Sequence, residues 1–331
     1  MLNRVTLADV AKKANVSTAT VSRVIANSSL ISKETKKKVQ KVIDNLNYVP
    51  NSMAQSLTRN SSKIIGIVLN SKDIDPLSNN FFSEILSGIS DYLIKKDYYT
   101  LYIHCNNSET EEEYIKSLVG SRRLDGLIFL RAYDDEKLLK YLENIQFPFS
   151  IIGTPNDTSE YIWVDNDNTN TTYTITKKLI EQNKKKNICF VGGPMNLKVT
   201  NYRYKGYVKA LKEKNISKEY IIESLFNIDT AYDIIREYLR NNRKIDAIVT
   251  TDDVLAIASI KACKSLNKRN VTVTGFNNTY LKKTSNYNFT TVDIKVKELG
   301  KKACELLIQK IENRLMKKNY AIIEANILWE E

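Results

Sequence analysis

The chain begins with a hydrophobic pattern of helical period. In LADVAKKA, residues 7 to 14, the apolar positions follow the i, i+3, i+4, i+7 spacing that lines one face of a helix. Thr6 precedes this segment and is a candidate N-cap, because its hydroxyl can accept a hydrogen bond from the first turn. Asn15 follows the segment and tolerates the left-handed backbone that a tight turn requires. The pattern predicts a short helix with defined ends.

A second helix is predicted after Ser17, its candidate N-cap. Its inward side is formed by Val21, Val24 and Ile25. Its opposite side carries short side chains and one long one, namely Thr18, Ala19, Ser22, Arg23 and Ala26. A third helix with its own apolar stripe is predicted over residues 32 to 45. Because about three residues separate the first two helices, the pattern predicts an all-α helix-turn-helix headpiece over residues 1 to 50.

Pro50 interrupts the helical pattern, and a short polar region follows it. The segment NSMAQSL, from residue 51, is long enough for about two helical turns, and the TRNSS after it is polar. A helix of two turns is marginal by itself. We therefore interpret residues 51 to 62 as a hinge helix and linker that needs a partner to be ordered.

From residue 63 onward, short apolar runs alternate with amphipathic segments of 10 to 17 residues. The runs that predict strands are KIIGIVLN, YTLYIH, DGLIFL, FSIIG, YIWVD, NICFVGG, YIIESL, DAIVTT, VTVTGF, FTTVDI and AIIEANILW. Strands that alternate with helices are typical of parallel sheets covered by helices on both faces. About eleven strands exceed an ordinary open sheet, so two parallel-sheet subdomains are predicted.

The fold class expected for the chain is an all-α helix-turn-helix headpiece joined to an α/β core. We place the first subdomain of the core at about residues 63 to 158 and 291 to 319. The second subdomain is placed at about residues 161 to 288 and 320 to 331. Ligands of such cores bind outside the carboxyl ends of the strands, so polar residues at those ends are candidate binding residues.

The net charge of the chain is concentrated at its amino-terminal end. Of the formal +12, residues 1 to 60 hold +7, from 10 Lys and Arg against 3 Asp and Glu. A general abundance of Lys explains part of the total charge but not this concentration. A small basic headpiece on a nearly neutral body indicates binding to a polyanion.

The sequence offers little for metal, cofactor or membrane chemistry. The four Cys, at positions 105, 189, 263 and 304, have no metal-ligand spacing and are expected to be reduced thiols. We expect no metal and no cofactor. We also expect no membrane association, because no apolar run is long enough to span a bilayer. Since MLNRVTLADVAKK has no apolar leader, the protein is expected to be cytoplasmic.

The segments TLADVAKKANVSTATVSRVIANS and NYVPNSMAQSL resemble the lactose-repressor family of bacterial regulators. Body motifs such as RRLDGLIFL, VDNDN, RYKGYVKAL and TTDDVLAIASIKA extend the resemblance over essentially the whole chain. The resemblance implies a core like a periplasmic sugar-binding protein, which binds a small effector between its subdomains and dimerises. Within the family, NNFFSEIL, FSIIGTP, VDNDN and GFNNTY look most like the maltose-operon repressors of low-GC Gram-positive bacteria.

The resemblance assigns DNA recognition to the second helix. Thr18 and Ala19 match the positions that discriminate operators, and Arg23 matches a base-reading arginine. An arginine can donate two hydrogen bonds to guanine, although a lone Arg23 is more simply explained as a solvated surface residue. The short donors suited to phosphate oxygens are Thr6, Ser17, Thr20 and Ser22. Two departures from the family pattern are Ala26 and Leu30, where relatives often carry polar residues.

The hinge is the second DNA-binding element that the resemblance implies. The family's NxxAxxL pattern is matched by Asn51, Ala54, Gln55 and Leu57. In that pattern the leucine of each protomer enters the minor groove at the operator centre and kinks the DNA. The hinge is then expected to be ordered only on DNA and only in a dimer. Taken by itself, Leu57 is also explained by an ordinary linker.

An effector site in the core is implied as well. Arg203 matches the family's effector-binding arginine, and Asp252 and Asp253 follow the strand AIVTT. Asn277 ends the strand VTVTGF, where many relatives carry Asp. The remaining candidates are Phe81, Phe82, Asp165, Asn166 and Phe226. The aromatic rings could form a platform for the apolar faces of a sugar, although for any single Phe a place in the core is the simpler interpretation.

We predict a DNA-binding transcriptional repressor, not an enzyme, that binds a double-stranded pseudo-palindromic operator. The predicted effector is a small sugar, maltose or a maltodextrin, and a homodimer is favoured over a tetramer because the carboxyl-terminal EANILWEE has no leucine heptad. One alternative is a regulator whose corepressor is a phosphorylated carrier protein. Two others are a sugar-binding transport protein and an enzyme that uses Asp252 and Asp253 as acid and base. The headpiece argues against the transport protein, and the adjacent placement of the two Asp argues against the enzyme.

Overall fold

The computed structural model of the 331-residue chain consists of two compact units, Met1–Ser62 and Lys63–Glu331. It describes residues 5–49, 61–69, 80–105, 107–130, 132, 136–156, 158 and 160–330.

The first unit contains three helices, α1 (Leu7–Ala14), α2 (Thr18–Ile25) and α3 (Lys33–Asn45). Both predicted N-caps are confirmed, because Thr6 accepts from the Asp9 amide at 3.3 Å and Ser17 from the Thr20 amide at 3.1 Å. Asn15 ends α1 with a φ of 50°, in the left-handed conformation that the sequence predicted. The fully buried side chains at the centre of the unit are Val10, Ala14, Val21 and Val39. The predicted helix-turn-helix is therefore present.

The second unit alternates strands and helices, as predicted. Its strands are β1 (Ile64–Val68), β2 (Tyr99–Ile103), β3 (Gly126–Phe129), β4 (Phe149–Ile152), β5 (Ile162–Asp165), β6 (Ile188–Gly192), β7 (Tyr220–Glu223), β8 (Ala247–Thr250), β9 (Thr272–Thr274), β10 (Thr291–Asp293), β11 (Tyr320–Ile322) and β12 (Asn326–Leu328). Its helices are α4 (Asn80–Ile94), α5 (Ser108–Gly120), α6 (Glu136–Asn144), α7 (Asn168–Glu181), α8 (Lys198–Glu213), α9 (Ile228–Asn241), α10 (Asp253–Ser265), α11 (Tyr280–Thr284) and α12 (Val296–Ile311).

Two parallel sheets form the centres of two subdomains. The larger sheet has the order β11-β5-β4-β3-β1-β2, and the smaller one has the order β7-β6-β8-β9. A short antiparallel pair, β10 with β12, continues beside the smaller sheet, where Thr290 bridges to Thr274. The predicted class, a helical headpiece with an α/β core of two parallel-sheet subdomains, is confirmed.

The subdomain boundaries differ from the predicted ones at three strands. β10 was expected in the first subdomain, but it pairs with β12 beside the smaller sheet. β5 was expected in the second subdomain, but it pairs with β4 in the larger sheet. β11 was also expected there, but Tyr320 pairs with Trp163 of β5, and their rings stack at 5.0 Å. An apolar run predicts that a strand forms but not which strand it pairs with. The subdomain to which a strand belongs depends on that partner, which can lie far away in the sequence.

Three chain segments connect the subdomains, and we call them the three crossovers. They are residues 166–167 between β5 and α7, residues 294–295 between β10 and α12, and residues 323–325 between β11 and β12. Because α12 packs against α4 in the first subdomain, the chain passes through the second subdomain and then returns.

Helices α7 and α8 approach each other closely in the second subdomain, and this contact positions the site described below. Gly206 of α8 lies against the backbone of α7, since a Cβ there would stand 2.2 Å from the Thr169 carbonyl oxygen and 2.8 Å from the Tyr173 nitrogen. Arg203 lies one turn before Gly206 on α8, and Asn168 is the first residue of α7. The missing side chain of Gly206 therefore allows Arg203 and Asn168 to meet.

A Gly206→Ala substitution is expected to lower the free energy of unfolding by about 1–3 kcal/mol, because the methyl group forces two helix backbones apart. Urea unfolding followed by circular dichroism measures the change. Gly120→Ala is the matched control, since a Cβ on Gly120 has no heavy atom within 4 Å. Equal stabilities of the two variants would contradict the close-packing argument.

Candidate functional site

The outer face of α2 is the candidate DNA-binding surface of the headpiece. Thr18, Ala19, Ser22 and Arg23 are exposed on this face, whereas Val21 and Val24 on the other side are buried. The exposed side chains are short except for that of Arg23, which alone has the length to reach beyond the helix surface. This face fits the shape of a recognition helix that lies deep in a groove.

Several of the predicted phosphate donors are engaged in capping. The Thr6 hydroxyl donates to the Asp9 carboxylate at 2.7 Å, and this hydrogen bond lowers the pKa of Asp9. The hydroxyls of Ser17 and Thr20 are hydrogen-bonded to each other at 2.9 Å. Capping fixes the amino-terminal ends of α1 and α2. A hydroxyl has one proton, so Thr6 must exchange its bond to Asp9 before it can donate to a phosphate, whereas the pair of Ser17 and Thr20 keeps one proton free for donation.

The turn after α2 is held by α3. The Lys36 ammonium donates to the side-chain oxygen of Asn27 at 2.8 Å and to its backbone oxygen at 3.3 Å. Beyond this contact, Leu30 is 82% exposed, so a large apolar side chain projects from the turn. The predicted hinge residues, Asn51, Ala54, Gln55 and Leu57, lie outside the described residues and stay predictions.

The core contains a buried polar cluster centred on Arg203. Arg203 is 5% exposed and donates from Nε to Asn168 Oδ1 at 2.9 Å, from Nη1 to the Thr251 carbonyl, and from Nη2 to Asn277 Oδ1 at 3.4 Å. Its guanidinium lies over the ring of Phe276, 3.6 Å from the centroid. The hydrogen bonds therefore hold the guanidinium along its edge, and the ring of Phe276 holds it on its face.

Asn277 continues the cluster to a carboxylate. Its Nδ2 donates to Asp252 Oδ2 at 2.7 Å, while Oδ1 of Asp252 accepts from the Val254 amide and caps α10. Asn277 has a φ of 93°, a conformation that asparagine adopts more readily than most residues. The amide, which accepts on one side and donates on the other, joins Arg203 to Asp252.

Burial dominates the electrostatics of this cluster. Burial, and after it the neighbouring Asp253, raises the pKa of Asp252 to about 7. Burial also lowers the pKa of Arg203 to about 10, against the opposing effect of Asp252. Shifted ionisable groups gathered at strand ends are typical of a binding site.

The pKa of Asp252 predicts how stability depends on pH. The folded chain holds this proton up to about pH 7, whereas the unfolded chain loses it near pH 3.8. Since the folded state binds more protons in this window, stability falls as pH rises from about 4 to 7. Asp252→Asn removes the share of this dependence that Asp252 contributes, so the Tm of the variant should rise relative to that of the wild type by several degrees across the window. Asp233→Asn, which changes an exposed carboxylate of α9, is the control and should show no such gain.

Asp253 has a different environment from its neighbour. Its carboxylate accepts from the Thr279 amide at 2.7 Å, the Thr279 hydroxyl at 3.1 Å and the Thr291 hydroxyl at 2.6 Å. It is fully buried, and burial raises its pKa to about 6. These contacts are structural. They also show Asp252 and Asp253 bonded to different partners, an arrangement unsuited to an acid–base pair.

Of the other predicted effector residues, Asp165 is linked to Arg203 through Asn168, and the rest have other partners. Asp165 accepts from Thr154 through Oδ2, at 3.0 Å from the amide and 2.8 Å from the hydroxyl, and Asn166 bonds to the other crossovers. Phe81 and Phe82 are half-buried against the first subdomain and pack edge to face at 5.4 Å. The ring of Phe226 covers Gly193 after β6. The structure thus brings together Arg203, Asp252 and Asn277.

Sequence reasoning missed three members of the cluster: Asn168, Thr251 and Phe276. Each adjoins a recognised motif, since Asn168 ends VDNDN, Thr251 ends AIVTT and Phe276 precedes Asn277. Their positions at strand ends carried a signal, but their role depends on the approach of Arg203 from α8.

Two further hydroxyls lie buried near the end of β6. Thr200 Oγ1 and Ser224 Oγ have no hydrogen-bond partner among the described residues. The Ser224 amide donates to the Gly192 carbonyl at 2.9 Å, and the Thr200 methyl lies beside Gly192. Buried hydroxyls are normally hydrogen-bonded, so this region is suited to a polar ligand.

A helix-turn-helix headpiece joined to a two-subdomain α/β core, with a buried polar cluster at its strand ends, defines a class of bacterial DNA-binding regulators. Comparison with protein families identifies the family of both parts of the chain. Residues 6–51 match the bacterial regulatory proteins of the lacI family, and residues 62–328 match the periplasmic binding proteins and sugar binding domain of the LacI family. The chain belongs to the lactose-repressor family and is a DNA-binding transcriptional repressor, not an enzyme.

Individual relatives cover nearly the whole chain. The HTH-type transcriptional regulator MalR of Streptococcus pneumoniae serotype 4 is 36% identical over 318 residues, covering 93% of each chain. MalR of Staphylococcus xylosus is 29% identical over 343 residues, covering 99% of this chain and 97% of its own. The predicted similarity to maltose-operon repressors is confirmed.

Among solved structures, a lac repressor dimer bound to operator and the anti-inducer ONPF superposes with a TM-score of 0.85. It is 21% identical and covers 98% of both chains, a likeness that establishes the fold. In the part of the chain that the structure describes, no helix is both long and apolar enough to cross a membrane.

Proposed function

We propose that this repressor binds a pseudo-palindromic operator as a homodimer in the cytoplasm and that a small sugar, maltose or a maltodextrin, controls its operator affinity. The observation that carries the sugar site is the buried chain of hydrogen bonds from Arg203 through Asn277 to Asp252. Two relatives named MalR support maltose as the effector to test first.

On the DNA side, the proposal uses the exposed face of α2. Arg23 reads a guanine, and Thr18 and Ala19 set the preference for neighbouring bases through contacts with base edges and thymine methyl groups. Ser22, with Thr6, Ser17 and Thr20, holds phosphates and so fixes the register on the duplex. The hinge residues Asn51, Ala54, Gln55 and Leu57 complete the interface at the operator centre.

The homodimer follows from the two-fold symmetry of a pseudo-palindrome, since each protomer presents one recognition helix to one half-site. The likeness to a lac repressor dimer supports this arrangement.

On the sugar side, a planar cation and an amide can bind adjacent hydroxyls, and Phe226 supplies an aromatic face. The buried hydroxyls of Thr200 and Ser224 provide further polar partners near the end of β6. Asp253 is better suited to hold Thr279 and Thr291 in place than to bind sugar directly. The role of Phe81 and Phe82 is to cover the cleft from the first subdomain.

Control of DNA binding requires that the sugar prefer one arrangement of the two subdomains. A ligand shifts an equilibrium only by its difference in affinity for the two states. The cluster belongs to the second subdomain, and Asn168 links Arg203 to Asp165 of β5 in the first, so rotation of one subdomain alters the contacts available to a bound sugar. We expect sugar binding to weaken operator binding and so relieve repression.

The test is a fluorescence titration of the full chain against an operator selected from a random duplex library. It is repeated with maltose, maltotriose, glucose and sucrose at fixed salt, because salt alone changes affinity strongly. A change in operator Kd with maltose or maltotriose, and none with sucrose, supports the proposal. No response to any sugar would rule out the maltose assignment, and the same assay with a phosphorylated carrier protein then tests a protein corepressor.

A further inference from the structure

Asn166 joins the three crossovers by hydrogen bonds. Its Nδ2 donates to the carbonyl oxygen of Ile323 at 2.7 Å and to that of Ile294 at 3.2 Å. Asn166 belongs to the first crossover, Ile294 to the second and Ile323 to the third. Since the side chain is 5% exposed, water competes little for these bonds. One amide therefore connects all the segments through which the subdomains are linked.

Asn168 connects the same region to Arg203. Its Oδ1 accepts from Arg203 Nε at 2.9 Å, and its Nδ2 donates to Asp165 Oδ1 at 2.9 Å and to the Asn166 carbonyl at 3.3 Å. The backbone amide of Asn166 also donates to Asp165 Oδ1, at 2.7 Å. A continuous path thus runs from the guanidinium through the side chains of Asn168 and Asp165 and the backbone of Asn166 to the crossovers.

We propose that Asn168 is the positioning residue of Arg203 and that, with Asp165 and Asn166, it ties the guanidinium to the three crossovers. The proposal rests on the proposed sugar site only in treating Arg203 as a ligand residue. Movement of the guanidinium when a sugar binds is then passed directly to the segments about which the subdomains rotate. Hinges of this kind consist of a few residues at the ends of elements.

The chemistry of this path requires amides at two positions. Asn168 must accept from Arg203 and donate to Asp165, and Asn166 must donate to two carbonyl oxygens. A carboxylate can only accept hydrogen bonds. Asp at position 168 could therefore accept from Arg203 but could not donate to Asp165, and Asp at position 166 could make neither of the two bonds. The carboxylate of Asp165 accepts from the side chain of Asn168 and from the backbone amide of Asn166, and so holds the two residues together.

The first test compares Asn168→Asp with Asn168→Ala in the full chain by calorimetric titration with maltose. Asn168→Ala loses the acceptor for Arg203 Nε, so its maltose Kd should rise about tenfold or more. Asn168→Asp keeps that acceptor and should stay within about threefold of the wild type, although its carboxylate faces Asp165 and lowers the Tm further. If maltose affinity instead followed Tm, with the Asp variant the weaker binder, Asn168 would have a structural role only and the proposal would fail.

A second test needs no sugar and separates this proposal from the sugar assignment. In urea unfolding, Asn168→Ala combined with Arg203→Met should destabilise by less than the sum of the single changes, since both remove the same bond. Additive effects would overturn the proposal even if maltose binds. If the wild type binds no maltose, the sugar assignment fails. The comparison of the double variant with the two single variants then decides by itself whether Asn168 is paired with Arg203.

Hydrogen exchange tests the part of the proposal that concerns Asn166. Asn166→Ala should speed amide exchange in peptides covering residues 290–296 and 320–326, while peptides from α9 keep the wild-type rate. Faster exchange confined to residues 160–170 would show that Asn166 does not connect the crossovers.

Discussion

Replacing Arg23 with alanine should weaken operator binding by about tenfold to a hundredfold, or roughly 1–3 kcal/mol, and relax the preference at one base pair of each half-site. The loss is specific because Arg23 is the long side chain on an exposed face of short ones. Since Arg23 is exposed and lies outside the headpiece core, folding should be unaffected. Fluorescence anisotropy against the selected operator, and against each single base change, measures both effects.

Two variants make this result interpretable. Arg23→Lys keeps the charge but loses the planar pair of donors, so it should recover general DNA affinity without base preference. Lys12→Ala removes an exposed charge from the last turn of α1 and should weaken all sequences alike. If Arg23→Ala itself weakened all sequences equally and lowered the salt slope by about one, Arg23 would be a phosphate contact.

Replacing Arg203 with alanine should raise the Kd for maltose by about a hundredfold, or roughly 3 kcal/mol, because hydrogen bonds to a charged group contribute most when buried. Operator binding without sugar should persist, so the variant is expected to repress and fail to respond. Calorimetric titration gives the sugar affinity, and the operator titration with maltose gives the response.

Controls separate lost binding from lost folding. Lys205→Ala removes an exposed cation from the same helix and should bind maltose like the wild type. Arg203→Ala also leaves Asp252 and Asp165 without their cationic neighbour, so its Tm should fall, and titrations are made well below that Tm. An Arg203→Ala protein that is folded and binds maltose normally would exclude Arg203 from the site.

The local elements could be predicted because their signals are local. The cap residues Thr6 and Ser17, the turn residue Asn15 and the apolar runs of the strands each carry a conformational preference that the structure retains. The pairing of β11 with β5 had no such signal, since the two strands are far apart in sequence and either sheet could accept a short apolar strand. Subdomain boundaries therefore could not be read from periodicity.

The candidate site likewise contains residues that could be predicted from the sequence and residues that could not. Arg203, Asp252 and Asn277 were identified from motifs, and the structure places them in one cluster. Asp253 was predicted as an effector residue because it follows a strand, and ligands of such cores bind outside the ends of strands. Its carboxylate is instead satisfied by Thr279 and Thr291. These residues lie in other parts of the chain, so the structural role of Asp253 could not be inferred from its place after the strand. Asn168 was overlooked because its value depends on a helix contact made at Gly206.

The return of the chain through the crossovers has a consequence for how the protein is made. Residues 188–274, which contain all four strands of the smaller sheet, are continuous, so that sheet can form as soon as they leave the ribosome. The larger sheet must wait, because β5 has no outer neighbour until Tyr320–Ile322 has been synthesised. An unpaired strand edge invites association with other chains. The larger sheet, although begun earlier, is thus completed after the smaller one, and until then its open edge is a point at which newly made chains are exposed to aggregation.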